Sequence, residues 1–280
     1  MKMTVHEQLC FITTKIETHN KGIPYGVSGT VFFFSFEKNN IVKMLLVTNK
    51  HIMKNYNTLQ IHLTKADIHG EPIIGQHYDL TINGDLSTIV YNHPNDDVDL
   101  CVVDITNQLL ELGKHGENIF IRSFKTKDIP TNEQIRDIDP ITEVKMIGYP
   151  DSIWDKVNNM PLFRRCMTAS RIDLDWNGKK EFLIDGACFN GSSGSPVVLY
   201  EDNMHFSRLD NSLKLGESRF FLLGIQFATH LHNISGEVIT DVQGQESIIE
   251  NLRIKSSIPN NIGYVIKSQR ILDIIEMMPI

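Results

Sequence analysis

Cysteine is scarce: the 280 residues hold four, Cys10, Cys101, Cys166 and Cys188, far apart along the chain. Three of them sit in apolar or strand-like runs, where a small thiol packs as core, so a disulfide framework is not expected. No CxxC, no HExxH and no Cys/His group of zinc spacing occurs, and neither a metal nor any other cofactor is expected. His230 and His232 can share one strand face, but two imidazoles alone do not make a site. A surplus of positive charge is also missing. Lys and Arg number 27 against 34 Asp and Glu, a net of −7 with no basic stripe, which argues against a nucleic-acid partner. The longest apolar runs, such as 30–36, fall far short of the ~20 residues that cross a bilayer. The opening MKMTVHEQLC has no apolar signal-peptide core. The expectation is a soluble, cytoplasmic protein with no membrane partner. Internal repeats are absent, and helical periodicity hardly appears before the last dozen residues.

What remains is a globular composition, 41% hydrophobic and 22% charged, arranged in short runs of Val, Ile, Phe and Thr between turn formers. Strands are expected at 9–17, 29–36, 42–47, 58–63, 87–91, 100–105, 143–147, 166–171, 181–185, 195–200 and 220–228. That total is about twice what one small barrel needs, so the fold expected is all-β, two barrels in tandem. The polar stretch 111–139 reads as their connection, and 201–217 and 234–257 as long polar loops. The halves are drawn at 1–116 and 117–280. A terminal helix over 268–278, capped by Ser268, carries Ile271, Leu272, Ile275 and Met278 at helical spacing.

The chemistry centres on Cys188-Phe-Asn-Gly-Ser-Ser-Gly-Ser-Pro-Val-Val, which sets Ser193 in a glycine-rich turn before an apolar strand. A tight turn between strands is the plain reading. If the N–H groups of Gly191 and Ser193 face one space, they form an oxyanion hole beside the Ser193 hydroxyl. A serine nucleophile needs a base, and His51, which follows the apolar strand in Leu-Val-Thr-Asn-Lys-His-Ile, is the candidate. The base needs a carboxylate on its far nitrogen. Asp99, at the entry to Leu100-Cys-Val-Val-Asp-Ile, is preferred to Asp97 in the preceding turn; a cation site of Asp96, Asp97 and Asp99 lacks the further oxygens calcium wants.

With the order His51, Asp99, Ser193 in the contexts TNKH, DLCVV and GSSGSP, the chain resembles the chymotrypsin-like (trypsin-fold) serine peptidases, in particular the bacterial, disulfide-free branch. The resemblance extends from Gly26-Val-Ser-Gly-Thr-Val-Phe to Gly263-Tyr-Val-Ile and the terminal helix. It implies two six-stranded antiparallel β-barrels, His51 and Asp99 on the first and Ser193 on the second, with a C-terminal α-helix. Ser192 and Ser195 stand where animal members usually carry Asp and Gly, and no activation peptide is evident, so a preformed site or one ordered by a partner is expected.

By the same resemblance Ala187 falls at the base of the substrate pocket, with Gln226, Phe227 and Ala228 on the facing strand; Ala187 and Phe227 fit core packing equally. Without a carboxylate at the base, a preference for Lys or Arg lacks its usual cause, and a small or polar uncharged side chain is expected. The activity implied is that of a regulated serine endopeptidase acting on protein or peptide substrates, with room for a regulatory protein partner. A latent or inactive peptide-binding module and an esterase using the same triad are the alternatives.

Overall fold

In a computed structural model of the chain, residues 3–21, 23, 26–242 and 245–279 are described, with 236–242 and 245–255 described by backbone alone. The first half comprises α1 (Val5–Leu9), β1 (Thr13–His19), β2 (Val27–Lys38), β3 (Ile41–Thr48), α2 (Lys50–Met53), β4 (Thr58–Ala66), β5 (Pro72–Asn83), β6 (Val90–Asn92), β7 (Cys101–Asp104), α3 (Thr106–Lys114) and β8 (Phe124–Lys125). The strands form one sheet in the order β5-β4-β1-β2-β3-β7-β6, with β8 added in parallel to β2. The second half comprises α4 (Asn132–Asp137), β9 (Glu143–Gly148), β10 (Leu162–Thr168), β11 (Glu181–Asp185), β12 (Pro196–Glu201), β13 (Met204–Ser207), β14 (Ser212–Leu215), β15 (Arg219–Val242), β16 (Gln245–Lys267) and α5 (Arg270–Met277). Six of its strands close a barrel, β10-β11-β16-β15-β12-β9.

Strand alternation explains how three cores arise from these runs. Along β2, Val31 and Phe33 face the interior of the first half, where Leu46, Ile61, Leu63, Leu80 and Val103 join them from other strands. One core shared by so many strands means that the sheet wraps around it. The alternate residues Phe32, Phe34 and Phe36 face the second half and meet Val198, Leu222, Ile225 and the α5 residues Ile271, Ile274 and Ile275. Inside the closed barrel, Val144, Met146, Phe182, Val197, Leu199, Phe221 and Val265 make the third core. The chain is thus all-β with a closing helix, a closed six-stranded barrel beside a second wrapped sheet, in the manner of a chymotrypsin-like double barrel. Cys101, Cys166 and Cys188 are buried and unpaired, and burial pushes their thiols up, Cys166 to about 11 and Cys188 to about 12.

Several local expectations change. The first half holds eight strands rather than six, and its ladder ends at β5 and β6 without closing. Residues 9–12 are not strand: α1 precedes β1, started by a capping box in which Thr4 and Glu7 satisfy each other's backbone N–H. The division at 116/117 falls just before β8, which pairs with β2 through Phe34 and Phe124. Residues 201–217 are a β13–β14 hairpin, and 234–257 continues the β15–β16 ribbon, with 243–244 outside the described residues. Ser268 does not cap α5; its hydroxyl is buried without a partner, and Gln269 takes the N-cap position.

Candidate active site

Strand β3 delivers the chain to Asn49, which opens the single turn α2 carrying His51. The turn is anchored from below, because the buried Asn49 amide donates to the Asp99 carbonyl at 2.7 Å and Lys50 Nζ donates to the Asn95 carbonyl at 3.1 Å. Asp99 grips the histidine at two points. Its Oδ1 accepts the His51 backbone N–H at 3.0 Å, and its Oδ2 lies 2.5 Å from His51 Nδ1. A proton held on Nδ1 by the carboxylate leaves Nε2 as the acceptor on the open side of the ring. Asp96 instead pairs with Lys50 at 3.9 Å, and the Asp97 N–H donates to the Asn95 side chain. An open groove beside His51 is lined by Tyr56, Asn57, Leu86 and Asn92.

The Ser193 loop is built as a turn. Ser192 N–H donates to the Phe189 carbonyl at 3.1 Å, and Gly191, third in the turn, has φ +81°, as a type II turn requires. A Cβ there would stand 2.6 Å from the Tyr149 carbonyl, so only glycine fits. The Asn190 carbonyl accepts the Asp151 N–H at 2.5 Å, which fixes the plane of the Asn190–Gly191 peptide. Because the peptide is trans, the Gly191 N–H points the opposite way. Among the described residues, neither the Gly191 nor the Ser193 N–H donates to any acceptor, so both donors remain free.

Thr30, on β2, joins the two halves of the site. Its N–H donates to the Ser193 carbonyl at 2.9 Å, and its hydroxyl donates to the Gly191 carbonyl at 3.0 Å while accepting from Tyr149 N–H and Ser195 Oγ. One step back, a Cβ on Gly29 would lie 2.4 Å from Ile52 Cδ1 and 3.3 Å from the Ser193 carbonyl oxygen. The turn bearing His51 and the loop bearing Ser193 therefore meet over Gly29. The Ser193 hydroxyl itself donates to the Phe227 carbonyl at 3.4 Å, long for an O–H···O bond, and makes no bond to His51. Sequence reasoning missed Thr30 and Asp151; each acts by a contact distant in the chain that no local pattern marks.

Of the residues expected to line the substrate pocket, Gln226 is buried, with its amide donating to the Ala228 carbonyl at 3.1 Å and its Oε1 unpartnered. Its backbone pairs with Gly194 and Ser195, and Thr229 Oγ1 donates to the Cys188 carbonyl at 3.4 Å, so residues 226–229 run alongside the Ser193 loop. Ala187, Phe227 and Ala228 are half-buried; Phe227 also packs on the core between the halves. His230 Nδ1 lies 3.2 Å from the Tyr264 hydroxyl.

No known protein-family pattern matches the chain, and no curated protein matches it either. Solved structures do. The MamO protease domain from Magnetospirillum magneticum has a TM-score of 0.48 at 11% identity, over 98% of this chain and 100% of that one. The active form of the Rv3671c protease from M. tuberculosis has a TM-score of 0.41 at 11% identity, over 96% of this chain and 83% of that one. The HtrA-type protease AlgW with tripeptide has a TM-score of 0.44 at 14% identity, over 96% of this chain and 60% of that one. These solved structures are proteases, one of them HtrA-type. The strand order of this chain gives a closed barrel, a second wrapped sheet and a closing helix, an arrangement consistent with a chymotrypsin-like double barrel.

Proposed function

We propose that the protein is a serine endopeptidase, with Ser193 as nucleophile, His51 as general base and acid, and Asp99 orienting His51. The observation that carries this reading is the two-point grip of Asp99 on the His51 backbone and ring. Ser193 Oγ leaves the weak bond to Phe227, gives its proton to His51 Nε2 and bonds to the substrate carbonyl carbon. The carbonyl oxygen, now an anion, takes up the free N–H groups of Gly191 and Ser193; one such donor contributes about 3 to 4 kcal/mol in related chemistry. Collapse breaks the C–N bond, with the amine leaving on the proton from His51, and water repeats the cycle on the acyl-enzyme. The substrate proposed is a protein or peptide, with an uncharged side chain before the scissile bond, since the residue at the pocket base is Ala187 and the buried Gln226 Oε1 is a neutral acceptor.

The bond from Ser193 to Phe227 favours a second reading, a latent form in which the hydroxyl awaits a trigger. An intracellular, regulated enzyme is consistent with it. A fluorophosphonate probe separates the two and also the peptide-binding alternative. Labelling of wild type at once, and none of Ser193→Ala, supports the active peptidase; labelling only after peptide is added supports latency; no labelling under any condition overturns the enzyme reading. Cleavage of a diverse peptide library, against turnover of acyl esters alone, distinguishes peptidase from esterase.

A further inference from the structure

Away from the Ser193 loop, the outer face of the β1–β4–β5 region carries a second group of chemistry-bearing side chains. Along β4, Leu59, Ile61 and Leu63 point into the first core, which turns His62 and Thr64 to the opposite face. The register sets His62 opposite Asp79 and Thr64 opposite His77, so both β5 residues share that face. His62 Nδ1 is 2.7 Å from Asp79 Oδ1, and His77 Nε2 is 3.5 Å from the same oxygen. One ligand atom from each of the three residues lies within 4.8 Å of the others. The site is built into the fold: Trp154 covers His62 with ring centroids 4.4 Å apart, Asn159 donates to the His62 carbonyl, and the His62 side chain is only 7% exposed.

The protonation of this cluster is awkward. A neutral His62 with its proton on Nδ1 toward Asp79 presents the lone pair of Nε2 to Glu17, whose Oε2 stands 3.6 Å away. That Nε2 is buried without a hydrogen-bond partner. A metal cation in place of the Nδ1 proton lets Nε2 carry the N–H and aim it at the Glu17 carboxylate, the arrangement that orients most metal-bound imidazoles. Lys15, on the same face, is already paired with Glu17 at 2.7 Å.

We infer that His62, His77 and Asp79 form a binding site for one first-row transition cation, with Glu17 as the acceptor behind His62. Two imidazole nitrogens, one carboxylate oxygen and a fourth position for water make the donor set of zinc rather than of calcium or magnesium. With metal–ligand bonds near 2.0 to 2.1 Å, tetrahedral ligands stand about 3.3 Å apart. The spacing of His77 from Asp79 already suits this, and the half-exposed Asp79 side chain has room to draw back from His62.

The test is titration of the chelator-treated full chain with Zn2+ by calorimetry, and with Co2+ by absorption and by quenching of tryptophan emission, since Trp154 is one of two tryptophans. One equivalent should bind, with Co2+ giving tetrahedral absorption bands and quenching Trp154. His77→Ala and Asp79→Asn should each weaken binding at least tenfold, and Glu17→Gln about tenfold. Asp79 is half-exposed, so Asp79→Asn keeps the test available should His77→Ala misfold. Ser193→Ala should bind as wild type does, so that this site and the peptidase reading stand or fall separately. No stoichiometric binding, binding unchanged in both His77→Ala and Asp79→Asn, or binding abolished by His51→Ala or by a double change of His230 and His232 would overturn the inference and leave His62 as a buried side chain paired with Asp79.

Discussion

At the scale of single residues, the site depends on groups that hold other groups. In the proposed mechanism Asp99 does no bond-making but selects the His51 tautomer, so Asp99→Asn should lower kcat about 10⁴-fold with the fold intact, read from burst and steady-state kinetics on a cleavable peptide. Thr30 is a positioning residue of a different kind, whose hydroxyl meets the Gly191 carbonyl, Tyr149 N–H and Ser195 Oγ. Thr30→Val keeps the shape and removes all three contacts. The expected result is a fall in kcat of about 10²-fold, near the loss of one oxyanion donor, with little change in KM and recovery by Thr30→Ser. An equal loss in Thr30→Ser would show that the hydroxyl is not what matters. The residues proposed for the centre stand out in the sequence because each lies in a local pattern: His51 after an apolar strand, Asp99 at the mouth of one, Ser193 among glycines. Thr30, Asp151 and the His62 group do not, because they act through contacts between segments far apart in the chain, and linear spacing carries no record of which segment lies beside which.

Among elements, the strands with plain alternation, β2, β3, β7, β12 and the start of β15, were readable from their apolar runs, because each is buried on both faces between two cores. β5 was not, since half of its residues are exposed and it contributes only Leu80 to the buried core. The α3 helix escaped for a related reason: only Leu112 is buried, and the surrounding polar residues read as linker. The β13–β14 hairpin is held by charge more than by core. Arg219, 9% exposed, donates to Glu201 at 2.7 Å, to Asp137 at 3.1 Å and to the Phe206 carbonyl at 3.2 Å. Arg219→Met would leave two carboxylates facing each other without their cation and should destabilise the fold by about 3 kcal/mol, measured by urea denaturation.

For the molecule as a whole, acid stability offers a test of the packing between the 171–175 turn and the β13–β14 hairpin. The Arg171 guanidinium, and then that of Arg208, holds the Asp173 carboxyl down from the usual 3.8 to about 2. Below about pH 3.8 the unfolded chain takes up this proton before the folded chain does, so the stabilisation is complete above that pH and is lost as pH falls through 2. The Tm of wild type should drop more steeply between pH 4 and pH 2 than that of Asp173→Asn, as followed by circular dichroism; parallel slopes would show that other carboxylates govern the acid limb.

The core between the halves draws on Phe32 and Phe34 from early in the chain, Val198 and Leu222 from later, Ile271, Ile274 and Ile275 from α5, and Met278 just beyond it. Synthesis on the ribosome runs in that order, so the nascent polypeptide can wrap its first sheet and begin its barrel while the seam between them is still open. Only when Met278 has cleared the exit tunnel is the last wall of that seam available, so the docking of the first sheet on the barrel is completed by the last residues made.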